Sequence, residues 1–272
     1  MRLTLLLALF VSLCSSFYYQ KQEGYRVEYT YTWNLDTIND NFCKESIELY
    51  LTPTGSICFD RNTYDYDLME STKEGRKRRK EIWAATFTTA LANGTAGTVE
   101  FPRRHKTFII NYEYGAPQLS VFDDIMDEEF VYQTELPEWD LLDDMQEING
   151  QVVQEAVTNY HGRLWHAWFS ADYPYHDGPW CLKGLPGLIF RAYDESGDHY
   201  FELSRIEKAE AFKPFYKEAG RKRIERKQFL RNKVASLENS NSILNTIIGD
   251  SEGVSSMAKK TIKYDFLETD YH

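Results

Sequence analysis

Histidines and acids that share a neighbourhood are the first place to look for chemistry. Four of the six histidines, His161, His166, His176 and His199, fall near the centre of the chain, with Asp177 and Asp198 close by. Imidazole and carboxylate together are a donor set for zinc. Their placement argues against one. Along a strand His161 and His166 have opposite parity and cannot chelate from one face, unless the Gly162 turn repositions His161. His176 and Asp177 read as loop, and His199 opens a strand. The expected arrangement is three loop or turn histidines and one on a packed face. Cys181, close after His176, suggests a thiol nucleophile beside a base, which needs an exposed thiol of low pKa. It stands instead between Trp180 and Leu182 at a strand start, where a small buried side chain is ordinary. The chain has no Gly-rich phosphate loop, HExxH, GxSxG, paired CxxC or EF-hand loop. The expectation is no catalytic residue, no metal site and no cofactor. The alternative is an uncharacterised enzyme or metal-handling protein using His176, Asp177 and Cys181.

The elements that must position these residues read mostly as strands. The chain is 15% aromatic, with 19 Tyr and 16 Phe, and such residues suit a pleated, half-buried surface. From Tyr25 to Leu35 the alternation is strict: Tyr25, Val27, Tyr29, Tyr31 and Trp33 share one face, Arg26, Glu28, Thr30 and Thr32 the other. Ser46 to Leu51 and Ser56 to Asp60 make a hairpin around Pro53-Thr54-Gly55. Further strands are expected at Phe108–Tyr114, Phe130–Leu136, Trp139–Asp143, Gln151–Tyr160, Arg163–Ser170, Leu188–Tyr193 and His199–Ile206. Arg163 to Ser170 is apolar on both faces and so reads as covered on both sides. Asp67 to Ala92 reads as a helical or loop insert whose basic run, Lys73 to Lys80, is a solvated face. From Lys208 to about Ala235 the pattern is helical, with Phe212, Phe215, Tyr216, Ile224, Phe229, Leu230 and Val234 as its apolar residues. The tail from Tyr264 to His272 is aromatic and acidic, a possible edge strand. The fold class expected is mainly β with a helical C-terminal segment: a curved antiparallel sheet or half-barrel packed against one or two helices.

The organisation follows. Residues 1–16 read as a signal peptide, 17–207 as the β domain with its insert near 67–92, and 208–272 as the helical segment and tail. Arg2 supplies a positive start, Leu5 to Leu13 an apolar run too short for a membrane span, and Cys14-Ser15-Ser16 a cleavage site. Export to the periplasm or cell envelope is expected, with no integral membrane segment. A lipoprotein anchored through Cys14 is the alternative, against which Leu13 occupies a position where a small residue is preferred. After Cys14, the odd set Cys43, Cys58 and Cys181 allows at most one bridge. Cys43–Cys58 is the natural pair by proximity, yet the Pro53-Thr54-Gly55 turn sets Cys58 opposite Leu49. Both outcomes stay open. A net charge of −11 excludes nucleic acid as the main partner.

One stretch shapes backbone rather than chemistry. In Gly178–Ile189, GPWCLKGLPGLI, Gly178-Pro179 sets a turn, Trp180 supplies an apolar anchor, and Gly184, Pro186 and Gly187 bend the chain before Leu188-Ile189. The hexapeptide Gly184-Leu185-Pro186-Gly187-Leu188-Ile189 resembles the signature of the GLPGLI family of Bacteroidota secreted proteins. Around it, Asn149-Gly150, Gly162-Arg163, Trp168-Phe169 and Tyr173-Pro174 look like the family's preceding block, and Leu188–Tyr193 with His199–Ile206 like its following hairpin. Many relatives carry a Cys where this chain has Val153. The family has no assigned activity, so the resemblance brings no catalytic residue with it. It implies an exported envelope protein, often encoded beside outer-membrane transport components. The expected function is a ligand-binding or envelope-assembly module, with an apolar ligand such as lipid, or an envelope protein, as partner. The ligand site expected is an apolar concavity lined by the aromatic face from Tyr25 to Trp33.

Overall fold

A computed structural model describes residues 23–38, 40–95, 103–210, 220–249 and 266–272. The expected signal peptide therefore lies outside the described residues. The alternation read from Tyr25 onward becomes β1 (Glu23–Asp36), and its apolar face is the core: Val27, Tyr29 and Tyr31 are fully buried. It pairs antiparallel with β2 (Asn41–Leu51) on one side and with β11 (His199–Glu210) on the other. Strand β3 (Gly55–Asp60) completes a hairpin with β2, in the register that sets Leu49 opposite Cys58. Cys43 stands opposite Trp33, so no bridge forms, and Cys43, Cys58 and Cys181 remain thiols.

Between β3 and β4 (Ile109–Glu113), which pair directly, the chain makes a helical excursion, α1 (Arg61–Glu70) and α2 (Lys73–Ala92). Asp60 caps α1 by accepting from Thr63 N at 2.7 Å, and Thr72 caps α2 through Gly75 N at 2.9 Å. Helix α1 covers the outer side of the sheet, where Tyr50, Ile57 and Phe59 form a small cluster with Tyr64. Helix α2 buries only Ala90 of its side chains, and most of its basic run is solvated.

The remaining strands continue the meander: β5 (Gln118–Ile125), β6 (Glu128–Glu135), β7 (Asp140–Ile148), β8 (Gln151–Tyr160), β9 (Arg163–Ser170), β10 (Leu188–Asp194) and a two-residue β12 (Lys222–Arg223). Together they make one twelve-stranded sheet in the order β12-β6-β5-β4-β3-β2-β1-β11-β10-β9-β8-β7. Every pairing is antiparallel except β12 with β6. Strands β6 and β7 lie near opposite ends of that order, yet only Leu136 to Trp139 joins them. So short a link spans roughly 18 Å at most, so the sheet must curl until its ends face each other. Tyr160 Oη donates to Glu135 O at 2.7 Å and Thr158 Oγ1 to Glu138 O at 2.5 Å, stitching the seam without strand pairing. The mainly β, curved-sheet expectation is what the chain adopts.

One strand goes unread from sequence and two local expectations fail, each for a physical reason. β5 is not legible as a strand because its Asp123 and Asp124 resemble a turn; both are buried, and Lys233 and Arg104 neutralise them. The helix expected from Lys208 begins only at Arg226, as α3 (Arg226–Gly249). β11 takes the chain to Glu210, and β12 binds the β6 edge before the helix starts. Phe212, Phe215 and Tyr216 lie outside the described residues. Of the remaining apolar stripe, Phe229 and Leu230 are buried, and Phe229 packs its ring on Phe130 and Tyr132. Finally, the tail from Phe266 is not an edge strand. It lies across the seam as an irregular segment: Thr269 N donates to His161 O at 2.9 Å, and Arg226 bonds Glu268 and Asp270, each at 2.5 Å.

Among the described residues no helix is long and apolar enough to cross a membrane.

Candidate functional site

The GPWCLKGLPGLI stretch connects β9 to β10, adjacent antiparallel strands that a surface loop could have joined. It goes inward instead. Every residue from Asp177 to Lys183 is buried, and Trp180, Cys181, Leu182 and Leu185 belong to the same core cluster as Val27, Tyr29 and Tyr31. The concavity expected over the aromatic face of β1 is therefore filled along Tyr29, whose hydroxyl donates to Ile189 O at 2.7 Å.

A buried ion pair organises the plug. Lys183 Nζ bonds Asp177 Oδ1, and both side chains are fully buried. Lys183 also donates to Gly178 O at 3.0 Å, while Asp177 accepts from Gly178 N at 2.8 Å and from Tyr114 Oη at 3.4 Å. Trp139 Nε1 caps Lys183 O at 2.8 Å. Two carbonyl contacts tie the ends: Ile189 N to Asp177 O and Gly184 N to His176 O, each at 3.0 Å. Trp180 adopts φ 49°, a left-handed conformation uncommon for a bulky residue, which turns its indole toward Tyr160 and Trp165. Of the hexapeptide, Leu185, Gly187, Leu188 and Ile189 are buried, and only Gly184 and Pro186 reach the surface. Gly187 is required for closeness rather than for φ: a Cβ there would lie 2.2 Å from Ser170 O. Only Gly184 takes the positive φ, 94°.

The flanking residues serve the same packing. Gly162 (φ 83°) leaves room for Thr269, since a Cβ would sit 2.3 Å from its Oγ1. Arg163 bonds Asp194 at 2.7 Å and the Phe266 carbonyl at 3.0 Å. Phe169 is in the core, Trp168 is half-buried on the outer face of β9, and Pro174 is exposed.

The four histidines are not brought together. His166 lies on the outer face between Glu155 (2.9 Å) and Glu195 (2.8 Å), stacked on Tyr193. His199 is fully buried, with Nδ1 2.7 Å from Tyr31 Oη. His176 is exposed on the loop before the plug. His161 occupies the β8–β9 turn at φ 54° and bonds Thr134 at 2.7 Å. Burial, with Arg226 adding, pushes its pKa down to about 3. His161, Glu268 and Asp270 do converge closely enough for a metal ion. Arg226 already fills that place, as the cation bonded to both carboxylates. The trough around them, about 710 Å³, is polar and open along the seam.

Cys181 is pushed well above the ordinary thiol range by burial, and Cys58 up to about 11 by the same cause. Neither has the thiolate character of a nucleophile. Thiol titration of the native protein at pH 8 is therefore expected to find Cys43 alone, with Cys58 and Cys181 reacting only in denaturant. Rapid native modification of Cys181 would contradict this.

A second cavity, about 460 Å³, opens at one end of the half-barrel. Its walls come from β1 (Trp33, Leu35), the strand lead-in before β4 (Lys106, Phe108), β6 (Tyr132), the plug (Trp180), α3 (Leu230, Leu237) and the tail (Phe266, Leu267). Polar groups sit among them: the His105–Glu45 pair at 2.5 Å and the Lys233–Asp123 pair at 2.5 Å. Lys106 extends over the Trp33 ring, with Nζ 3.1 Å from its centroid. Sequence reading missed Lys106, although one signal pointed to it. Ile110 and Tyr112 are buried in β4 and Phe108 precedes them in phase, and period two carried back two more residues puts Lys106 on the same inner face.

Fold and site together define, among the described residues, a plugged half-barrel with a cavity of mixed apolar and charged walls at one end. No protein-family model and no curated protein matches the sequence. Among solved structures, PNGF-II is similar in both its C2 and P21 crystal forms, at 13% identity and a TM-score of 0.50 over 79% of this chain. The chain spans about a third of PNGF-II, 33% and 34% in the two forms. That likeness is one of fold.

Proposed function

We propose that this chain is an exported binding protein of the cell envelope, of the GLPGLI kind, that holds an apolar ligand in its end cavity. The observation that carries the reading is the cavity itself. At about 460 Å³ it has the size of a small-molecule site, and Trp33, Leu35, Phe108, Trp180, Leu230 and Leu267 give it apolar walls with a few inward polar groups. The plug supports this reading by filling the concavity along Tyr29 and placing Trp180 in the wall of the end cavity. The export signal read at Arg2–Ser16 and the hexapeptide support the envelope setting.

An enzyme built on His176, Asp177 and Cys181 has less behind it. Asp177 is engaged by Lys183, Cys181 is buried, and His176 faces solvent. Native mass spectrometry of protein purified from its own envelope tests the binding reading. A co-purifying lipid-like mass, lost in Leu267→Arg, is the expected result. A clean apo mass from gentle preparations would overturn it.

A further inference from the structure

The end cavity contains a lysine, Lys106, whose Nζ no described carboxylate contacts. The other ionisable side chains at its wall have contacts within the protein or with solvent. Glu45 pairs with His105 and Asp123 with Lys233, each at 2.5 Å. Glu268 pairs with Arg226 at 2.5 Å, and Arg104 with Asp67 at 2.9 Å and Asp124 at 2.5 Å. Arg103 is exposed to solvent. Lys106 instead meets ring faces, Trp33 at 3.1 Å and Tyr31 at 5.5 Å. No described carboxylate lies within 4.0 Å of its Nζ.

Aromatic faces attract an ammonium but do not neutralise it, and an inward charge beside apolar walls gains most from an opposite charge. We propose that the cavity takes a single-chain carboxylate, a medium-chain fatty acid in chemical class, with its head at Lys106 and its chain along Trp33, Leu35, Phe266 and Leu267. This rests on the ligand-holding reading above and specifies its ligand. A cationic amphiphile would face Lys106 and Lys233 together, and a neutral one would leave Lys106 without an anion. Among the described residues the buried Trp33 indole N–H has no acceptor, and it offers a second donor on the same wall. Size agrees. At roughly 30 Å³ per heavy atom, the share of a liquid water, such a cavity holds on the order of ten to fifteen heavy atoms, one short chain rather than two.

The local electrostatics fit this occupant. Burial pushes Lys106 down to about 7, and Lys233 from α3 pushes the same way. Glu45 and Cys43 from β2 and Asp60 at the end of β3 oppose them. An arriving carboxylate supplies a counter-charge in direct contact, so Lys106 takes up a proton as the ligand binds.

Calorimetric titration of the signal-free chain with decanoate, 1-decanol and decyltrimethylammonium tests the inference. Decanoate is expected to bind at least tenfold more tightly than decanol, and the trimethylammonium compound most weakly. In Lys106→Met the decanoate advantage should fall to within about twofold of decanol. Equal wild-type affinities for decanoate and decanol would overturn the carboxylate assignment while leaving the apolar cavity intact. Absence of binding by all three would overturn the cavity reading and the assignment together. The wild-type comparison stands whether or not Lys106→Met folds.

Discussion

Replacing Asp177 by Ala is expected to destabilise the protein by about 3–5 kcal/mol, the loss typical of removing one partner from a buried ion pair. The variant would strand the Lys183 ammonium where no water reaches, and would also take the acceptor from Gly178 N and Tyr114 Oη. Lys183→Met should cost a similar amount by leaving the carboxylate uncompensated. The double variant Asp177→Ala/Lys183→Met is the informative one. It carries no net buried charge, so it should be well short of the sum of the two singles. Urea unfolding midpoints of the four proteins decide the matter. Singles costing under about 1 kcal/mol, or a double that is simply additive, would mean that the pair does not organise the plug. Because Trp180 lies between the two charges in sequence and forms part of the cavity wall, the singles should also weaken ligand retention.

The second large effect is expected at Gly187. A Cβ there would lie 2.2 Å from Ser170 O and 2.6 Å from Ser170 C, both backbone atoms of the last residue of β9. Neither can rotate away, so Gly187→Ala must separate the plug from the strand. The loss should reach or exceed about 3 kcal/mol, the upper end for overpacking. Gly184→Ala is the matched control in the same hexapeptide. Its nearest neighbour is Pro137 O at 3.9 Å, so only the positive φ is strained, at roughly 1–2 kcal/mol. Thermal melts showing Gly184→Ala the worse of the two would reverse this account. Unchanged melting of Gly187→Ala would show that the segment does not pack as described.

What the chain determined by itself was whatever depends on neighbours in sequence. Period-two alternation placed Val27, Tyr29 and Tyr31 on the buried face of β1, and the Pro53-Thr54-Gly55 turn set the β2–β3 register that keeps Cys58 opposite Leu49. Side-chain parity is local, so it can be read without the fold. The bend at Gly184, Pro186 and Gly187 was legible too, as glycine and proline restrict or free the backbone wherever they stand. Tertiary structure alone decided the rest. Asp123 and Asp124 resemble a turn until Lys233 and Arg104, distant in sequence, neutralise them inside a strand. That Gly187 is needed for proximity was decided by Ser170, which approaches it from the end of the neighbouring strand. Lys183 reads as an ordinary solvated lysine, and its burial depends on an Asp177 that the plug carries inward with it. The end cavity is the furthest from sequence, since its walls come from β1, β6, the plug, α3 and the tail. No local pattern encodes a space that exists only where those elements fail to touch.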